Sequence, residues 1–592
     1  VDESGRQRTY ALQPGVTELA ATQRTMWVTN ENTGQLIGID LVTGQQNRVI
    51  DSGHGILAVA ASDRELMVAV APTFDDAVGA LSGSVLTVGT AGVPWWDPSP
   101  DPPLNWTWQV RQALYVTCAM LVNYPDQPGA DGLRLQPEVA TAMPQLSADG
   151  RTYTFTIRPG FQFSPPSNEP LTAETFRSTI ERALDPAFDD DTPGAAAFGD
   201  IVGAEQYRAG TADHVAGLTA VDDRLTITLR APAPDFLDRL ADVRACPVPE
   251  GTPALHSGIN PDPPVAGSGP YYLAQIVPKR FVILKKNPNY HGPRPQPFDA
   301  IAIRTKSASA TAISMVENGK IDAAMLDGGD PLTGAASALA AEWGPGGSRA
   351  AAGHQRWFGA NRQGVDYLAL NPAGRAFRNI DVRRAVSLAI DRARLAAVWG
   401  NGPAPELLGP AVRGSAGKDV AASVPDIRAA RALMNGRTLH VTMMGFPLEW
   451  GCGVCGEFER ELTRQLKRID VRVTVRHPSD FPGDALERGS DVDLIALYAD
   501  AEYPDPVDLL RGLGENTWLG KAVLTRLARL ENLSGQARID EARAFANIVV
   551  DQQALVVPYG HPVYPFYVSD RIGCGFIQPA LGAVDLLSLC IR

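Results

Sequence analysis

A chain of 592 residues, 44% hydrophobic and 20% charged, has the make-up of an ordinary globular protein with room for several domains. Its 53 basic and 66 acidic residues leave a net charge of −13, which argues against nucleic acid and anionic membranes as partners, because both need a basic face. No apolar run reaches the roughly 18 residues of a transmembrane helix. No signal peptide opens the chain, and its start at Val1 suggests a trimmed piece whose targeting segment is missing.

Residues 1–83 differ from the rest. The stretch from Gly15 to Val28 realigns on Gly55 to Val68 at an offset of 40, with Gly15/Gly55, Ala20/Ala60, Ala21/Ala61, Arg24/Arg64 and Val28/Val68 coinciding. Both copies predict short strands around a polar turn. A strand-rich period near 40 is the signature of propeller blades. The stretch Gly34-Gln-Leu-Ile-Gly-Ile-Asp-Leu-Val-Thr-Gly44 resembles the blades of the YncE-like and NHL-like propeller families. Two copies cannot close a ring, so either further blades lie upstream of Val1 or the pair packs as an ornament on the main body.

The main body opens with an alternating strand from Ser84 to Thr90, then a proline-rich loop from Pro94 to Pro103 that carries Trp95 and Trp96. Val382, Val386 and Ile390 mark an amphipathic helix capped by Asn379 or Asp381. A strand from Leu439 to Met443 is followed by a helix with Phe458, Leu462, Leu466 and Ile469 on one face. Strands over 471–475 and 491–497 come next. This strand–helix–strand order predicts right-handed parallel units and a doubly wound lobe.

The last of these strands runs into Tyr498-Ala-Asp-Ala-Glu-Tyr-Pro-Asp-Pro506. Three carboxylates (Asp500, Glu502, Asp505) and two aromatics (Tyr498, Tyr503) therefore sit where a buried strand ends. In open α/β sheets, ligands collect in the crevice beyond the carboxyl ends of the strands. An acidic, aromatic cluster there suits a ligand that carries a positive amine. Locally the same residues also make a solvated acidic turn, stiffened by Pro504 and Pro506.

Six cysteines allow three disulfides in an exported protein, with Cys574 and Cys590 near enough in sequence for a local bridge. Cys452-Gly-Val-Cys455 precedes a helix whose N-terminus would stabilise a thiolate. It has no companion CxxC, and His440 and His477 lack metal-site spacing, so a small disulfide loop or two free thiols is expected. Walker, HExxH and GxSxG motifs are absent from the sequence. Ser415 and Lys418 have the spacing of a nucleophile pair but lie in a glycine-rich loop with no companion motif. No catalytic residue, cofactor or metal is expected.

Over about 500 residues the chain resembles the extracellular solute-binding proteins of the peptide/nickel type. The resemblance rests on four segments in order. The first is Leu135 to Pro144 with Ser147 to Phe163, continued by the helix from Leu171. The second is Gly267-Ser-Gly-Pro-Tyr-Tyr272 with 284–292 and 298–303. The third is Tyr367-Leu-Ala-Leu-Asn371 leading to 381–391, and the fourth is the acidic turn itself.

The resemblance implies a two-lobed periplasmic-binding-protein-like α/β fold preceded by a short all-β segment. Lobe I is expected over 84–305, with a small subdomain at about 100–190 and completion by 548–592, and lobe II over 306–547. A ligand would be enclosed in the cleft as the lobes close. In peptide-binding members an acid of the fourth motif pairs with the ligand's amino terminus, since an unpaired charge in a dry cleft is costly. That position maps onto Glu502, with Asp500 as the alternative. Trp95, Trp96 and Trp450 could line the cleft, against core packing. Arg375, Arg378, Arg383 and Arg384 could bind a carboxylate, although surface helix positions suit each of them better. The expected function is an extracytoplasmic, monomeric receptor that delivers a small amine-bearing ligand, a short peptide above all, to a membrane importer permease, tethered through the missing N-terminal segment. The alternative is a sensing domain of a larger fused membrane regulator.

Overall fold

The structure is a computed structural model and describes residues 16–592, apart from 31–34, 52–54, 63, 91–100, 105–107, 189–191, 255–263, 278–279, 306–307, 327–333, 410–411, 413–423, 447–453, 479–490 and 515–516. The chain divides into two compact units, 1–85 and 86–592.

In the first unit, strands Val16–Ala21, Thr25–Asn30, Gln35–Asp40 and Gln46–Asp51 form a four-stranded antiparallel meander. Gly55–Ala61 and Leu66–Ala71 pair as a separate hairpin. The 40-residue repeat has a physical counterpart in its turns. The Thr22 hydroxyl accepts from the Arg24 and Thr25 amides at 3.4 and 3.0 Å, and the Ser62 hydroxyl accepts from Arg64 and Glu65 at 3.3 and 3.0 Å. Such hydroxyl-to-backbone bonds close tight turns.

The second unit holds three larger sheets. The first has seven strands in the order Tyr271–Val277, Phe281–Lys286, Ala300–Arg304, Val85–Thr90, Ala323–Met325, Val563–Val568, Trp357–Asn361. The second has four antiparallel strands, Gln145–Leu146, Thr152–Thr156, Arg224–Thr228 and Leu218–Val221. Its Phe155, Leu225 and Ile227 share a core with Phe176 and Ile180 of the helix Ala173–Ala183. That helix starts at a capping box, in which Thr172 and Thr175 satisfy each other's amides.

The third sheet has six strands in the order Gly402–Pro403, Val556–His561, Gly364–Leu370, Leu494–Asp500, Leu439–Met444, Val471–Arg476. Leu439–Met444 runs parallel to both Val471–Arg476 and Leu494–Asp500, as the strand–helix–strand order predicts. The sheet as a whole is mixed, because Gly364–Leu370 pairs antiparallel to Leu494–Asp500 and Val556–His561. Phe458, Leu462, Leu466 and Ile469 are fully buried against it, each contributing about 1.5–3 kcal/mol. Asn379 caps the helix Ile380–Ala389 by accepting from the Asp381 amide.

The chain passes twice between the seven- and six-stranded sheets. Trp357–Asn361 continues through Arg362 and Gln363 into Gly364–Leu370, and Val556–His561 returns through Pro562 into Val563–Val568. The crossings are adjacent, with the Arg362 amide donating to the Pro562 carbonyl at 2.9 Å. Strand pairing thus assigns Ala323–Met325 and Trp357–Asn361 to the seven-stranded sheet, and the six-stranded sheet begins at Gly364 rather than at 306. The pairing that decides this, Ala323 beside Val88, is long-range and leaves no local pattern. Disulfides join Cys118 to Cys246 and Cys574 to Cys590. Cys455 is also disulfide-bonded, while Cys452 lies outside the described residues.

Candidate functional site

The strand Leu494–Asp500 ends beside the crossing, where the Ala501 amide donates to the Gln363 carbonyl at 2.6 Å. A short turn follows before the helix Pro506–Arg511. Asp505 starts that helix by accepting from the Val507 and Asp508 amides at 2.8 and 3.3 Å, with Pro506 in the first turn, where no amide is needed. Its carboxylate is also gripped by Arg538, Nε to Oδ2 at 2.9 Å and Nη2 to Oδ1 at 2.8 Å. Both side chains are buried.

Glu502 has a different environment. Its amide donates to Asp508 Oδ2 at 2.7 Å, which fixes the turn. Its carboxylate Oε2 accepts from Arg111 Nη1 at 2.8 Å and from Arg244 Nη2. Arg111 also pairs with Asp242 at 2.8 Å and donates to the Glu502 carbonyl. Asp242 in turn caps the turn Val243–Ala245 through the Arg244 amide at 3.0 Å. The Arg244 side chain is 6% exposed, Arg111 15% and Glu502 41%, so two enclosed guanidiniums hold one carboxylate that reaches solvent. Burial raises the Glu502 carboxyl, but Arg244 and Arg111 outweigh it and the net direction is down.

Tyr503 is buried and donates to Asp235 Oδ2 at 2.7 Å. Burial acts to raise Asp235, yet Arg239, the Tyr503 hydroxyl and Arg511 draw it down to about 2. Asp508, buried beside Glu502, is pushed up to about 6 by desolvation despite Arg511 at 2.8 Å. A cavity of about 20 Å³, room for a single water, lies between Arg111, Tyr115, Tyr124, Asp238, Glu502 and Tyr503.

Asp500 pairs with Arg362 of the crossing, Oδ2 to Nη2 at 2.7 Å, and Arg362 donates on to the Tyr564 hydroxyl at 3.1 Å. Its Oδ1 is buried against Gly364 and makes no hydrogen bond among the described residues; a Cβ at 364 would collide with it. Burial raises Asp500. Asp366 faces Tyr498 across the strand pair, accepts from Asn401 Nδ2 at 2.6 Å, and is pushed up to about 7 by burial. Tyr498 is 71% exposed.

The structure therefore gathers Tyr498, Asp500, Glu502, Tyr503 and Asp505 at one strand end, with separate surroundings for each. Trp95, Trp96 and Trp450 lie outside the described residues. Arg111, Arg244, Asp242, Arg362 and Asp366 were not singled out from the sequence. Arg111 is 391 residues from Glu502, in a helix with no motif of its own, and nothing local points to it. Of the helix-borne arginines, Arg383 is buried and donates to the Phe377 and Gln553 carbonyls, a structural role. A cavity of about 660 Å³ flanks the helix Cys455–Lys467 and is lined by Phe446, Glu459, Arg460, Lys467, Val475 and His477. Among the described residues no cluster of His, Cys, Asp and Glu could hold a metal, and no helix is long and apolar enough to cross a membrane.

The model of the bacterial extracellular solute-binding proteins, family 5 Middle, matches residues 134–440, more than half of the chain. The probable deoxycholate-binding periplasmic protein YgiS of Escherichia coli (strain K12) is 30% identical over 270 residues, 45% of this chain and 47% of the relative. The oligopeptide-binding protein OppA of Bacillus subtilis (strain 168) is 26% identical over 268 residues, 44% of this chain and 46% of the relative. The chain spans about half the length of these curated relatives. Among solved structures, the clavulanic acid biosynthesis oligopeptide binding protein 2 superposes with a TM-score of 0.68 at 20% identity, covering 86% of this chain and 96% of the other. That likeness establishes a shared two-lobed α/β fold.

Proposed function

The chain belongs to the bacterial extracellular solute-binding proteins, family 5, and from that membership we propose that it captures a small solute between its seven- and six-stranded sheets and hands it to an ABC-type importer. One observation carries the reading. The strand end that bears Asp500 to Pro506 in the six-stranded sheet reaches Arg111, Asp235 and Arg244 on the far side of the two-strand crossing. A cleft of this construction closes around its ligand by small dihedral changes at the two crossings. Short peptides are the first class to test, because one relative and one structural neighbour are described as oligopeptide-binding. A bile-acid-like solute follows, from the description of another relative.

The proposal places the protein outside the cytoplasm as a tethered monomer. The meander and hairpin of the first unit, with matching turns 40 residues apart, support one blade and half of the next in a propeller-like segment. The alternative, a sensing module within a larger fused polypeptide, draws on that unit alone, whereas the relatives are described as binding proteins.

Native mass spectrometry of the purified chain, followed by a thermal-shift panel of peptides, bile acids and sugars, tests the function. A true ligand at 100 times its Kd stabilises the folded protein by about 2.7 kcal/mol. The reading fails if no small molecule co-purifies and none raises Tm.

A further inference from the structure

The family resemblance implies Glu502, with Asp500 as the alternative, as the acid that receives an amino group, yet the Glu502 carboxylate is already held. We propose that Arg111 and Arg244 determine the specificity of the cleft. By occupying Glu502 they make its floor accept solutes with no free amino group, such as N-blocked peptides or neutral and acidic organic molecules. The proposal rests on the solute-binding function above and narrows its ligand class.

Three features of the site support this. The two guanidiniums are enclosed, at 6% and 15% exposure, and both reach Glu502 Oε2, so the carboxylate is paired twice where the two sides of the crossing meet. Arg111 is also bonded to Asp242 at 2.8 Å, and Arg244 Nε lies 3.5 Å from the same carboxylate without a hydrogen bond to it, so the two arginines flank one second acid. Two arginines, Asp242 and Glu502 sum to zero charge. An ammonium approaching the exposed side of Glu502 would meet a neutralised carboxylate with two guanidiniums close behind it, and like charges in an enclosed site repel strongly.

The other acids of the turn offer no substitute. Asp500 is paired with Arg362, Asp505 with Arg538 and Asp508 with Arg511. A carbonyl, hydroxyl or carboxylate meets no such penalty, since guanidinium N–H groups donate to all three.

Titration calorimetry with the full chain tests the proposal, using tri-alanine and N-acetyl-tri-alanine as matched probes. In the wild type the acetylated form should bind at least as tightly as the free one. Arg111→Gln, which removes one guanidinium from Glu502, should improve binding of free tri-alanine by about tenfold or more, and Arg244→Gln should do the same. Arg244 is the more buried and its variant is the one at risk of not folding, so Arg111→Gln alone suffices. The proposal is overturned if the wild type prefers the free amine by about tenfold and Glu502→Gln abolishes that preference. It is equally overturned if no folded arginine variant gains affinity for the free tripeptide. The solute-binding function would still stand in either case, because only a blank thermal-shift panel refutes it.

Discussion

Glu502 and Asp505 are three residues apart in one turn, and both carboxylates are held by arginine. Asp505 finds its partners nearby, in two amides of its own helix and in Arg538, 33 residues on. Glu502 finds them in Arg111, 391 residues away, and in Arg244. The first arrangement is buried and builds the turn. The second is 41% exposed on the Glu502 side and joins parts of the fold that lie on opposite sides of the two-strand crossing. Identical chemistry thus serves local architecture at one position and a long-range junction at the other.

The largest test of that contrast is Asp505→Ala. It removes a helix cap and takes from Arg538, which is 5% exposed, its paired carboxylate, leaving it the Leu530, Glu531 and Leu533 carbonyls and Asp235 at 4.0 Å. Breaking a buried pair by deleting one partner costs about 3–5 kcal/mol, and urea denaturation should show a loss of that size. A change much under 2 kcal/mol would mean that Arg538 finds other acceptors and that the contrast is weaker than drawn. Gly364→Ala comes next. Its Cβ would strike Asp500 Oδ1 and push the carboxylate off Arg362. Overpacking of this kind costs about 1–3 kcal/mol, read from the denaturation midpoint.

The third test concerns Asp366, whose folded pKa is about 7 against about 3.9 when unfolded. Between these values the folded state binds the extra proton, so stability falls as pH rises from about 4 to 7. Asp366→Asn should remove this share of the slope. The variant should match the wild type near pH 4.5 and exceed it by about 1–3 kcal/mol at pH 8. Equal stability at both pH values would show that Asp366 is ionised without penalty. The smallest expected effect is that of Glu502→Gln, about 1 kcal/mol or less, because the side chain is half in solvent. A loss above 3 kcal/mol would make Glu502 as architectural as Asp505.

Much of the lobe carrying the turn was legible beforehand, because its cues are short-range. The apolar spacing of Phe458, Leu462, Leu466 and Ile469 marked a helix that buries all four. Of the two caps that the sequence offers, Asn379 and Asp381, Asn379 is the one that accepts the amide. Proximity in sequence makes Cys574 and Cys590 candidates for a local bridge, and they form one. The carboxylates of the turn were found but their occupancy was not. A guanidinium arriving from a distant helix leaves no trace in the residues around Glu502.

The sequence by itself determined the elements, the repeat of the first unit, the family and the strand end where charge gathers. Each of these depends on residues within a few turns of one another or on a motif carried intact along the chain. Only the tertiary structure decided which strands share a sheet, where the chain crosses, and which arginine holds which acid. Those outcomes depend on pairings such as Ala323 with Val88 and Arg111 with Glu502. Contacts of that separation are set by the closure of the whole unit, and the physics that selects them is burial and charge balance in three dimensions.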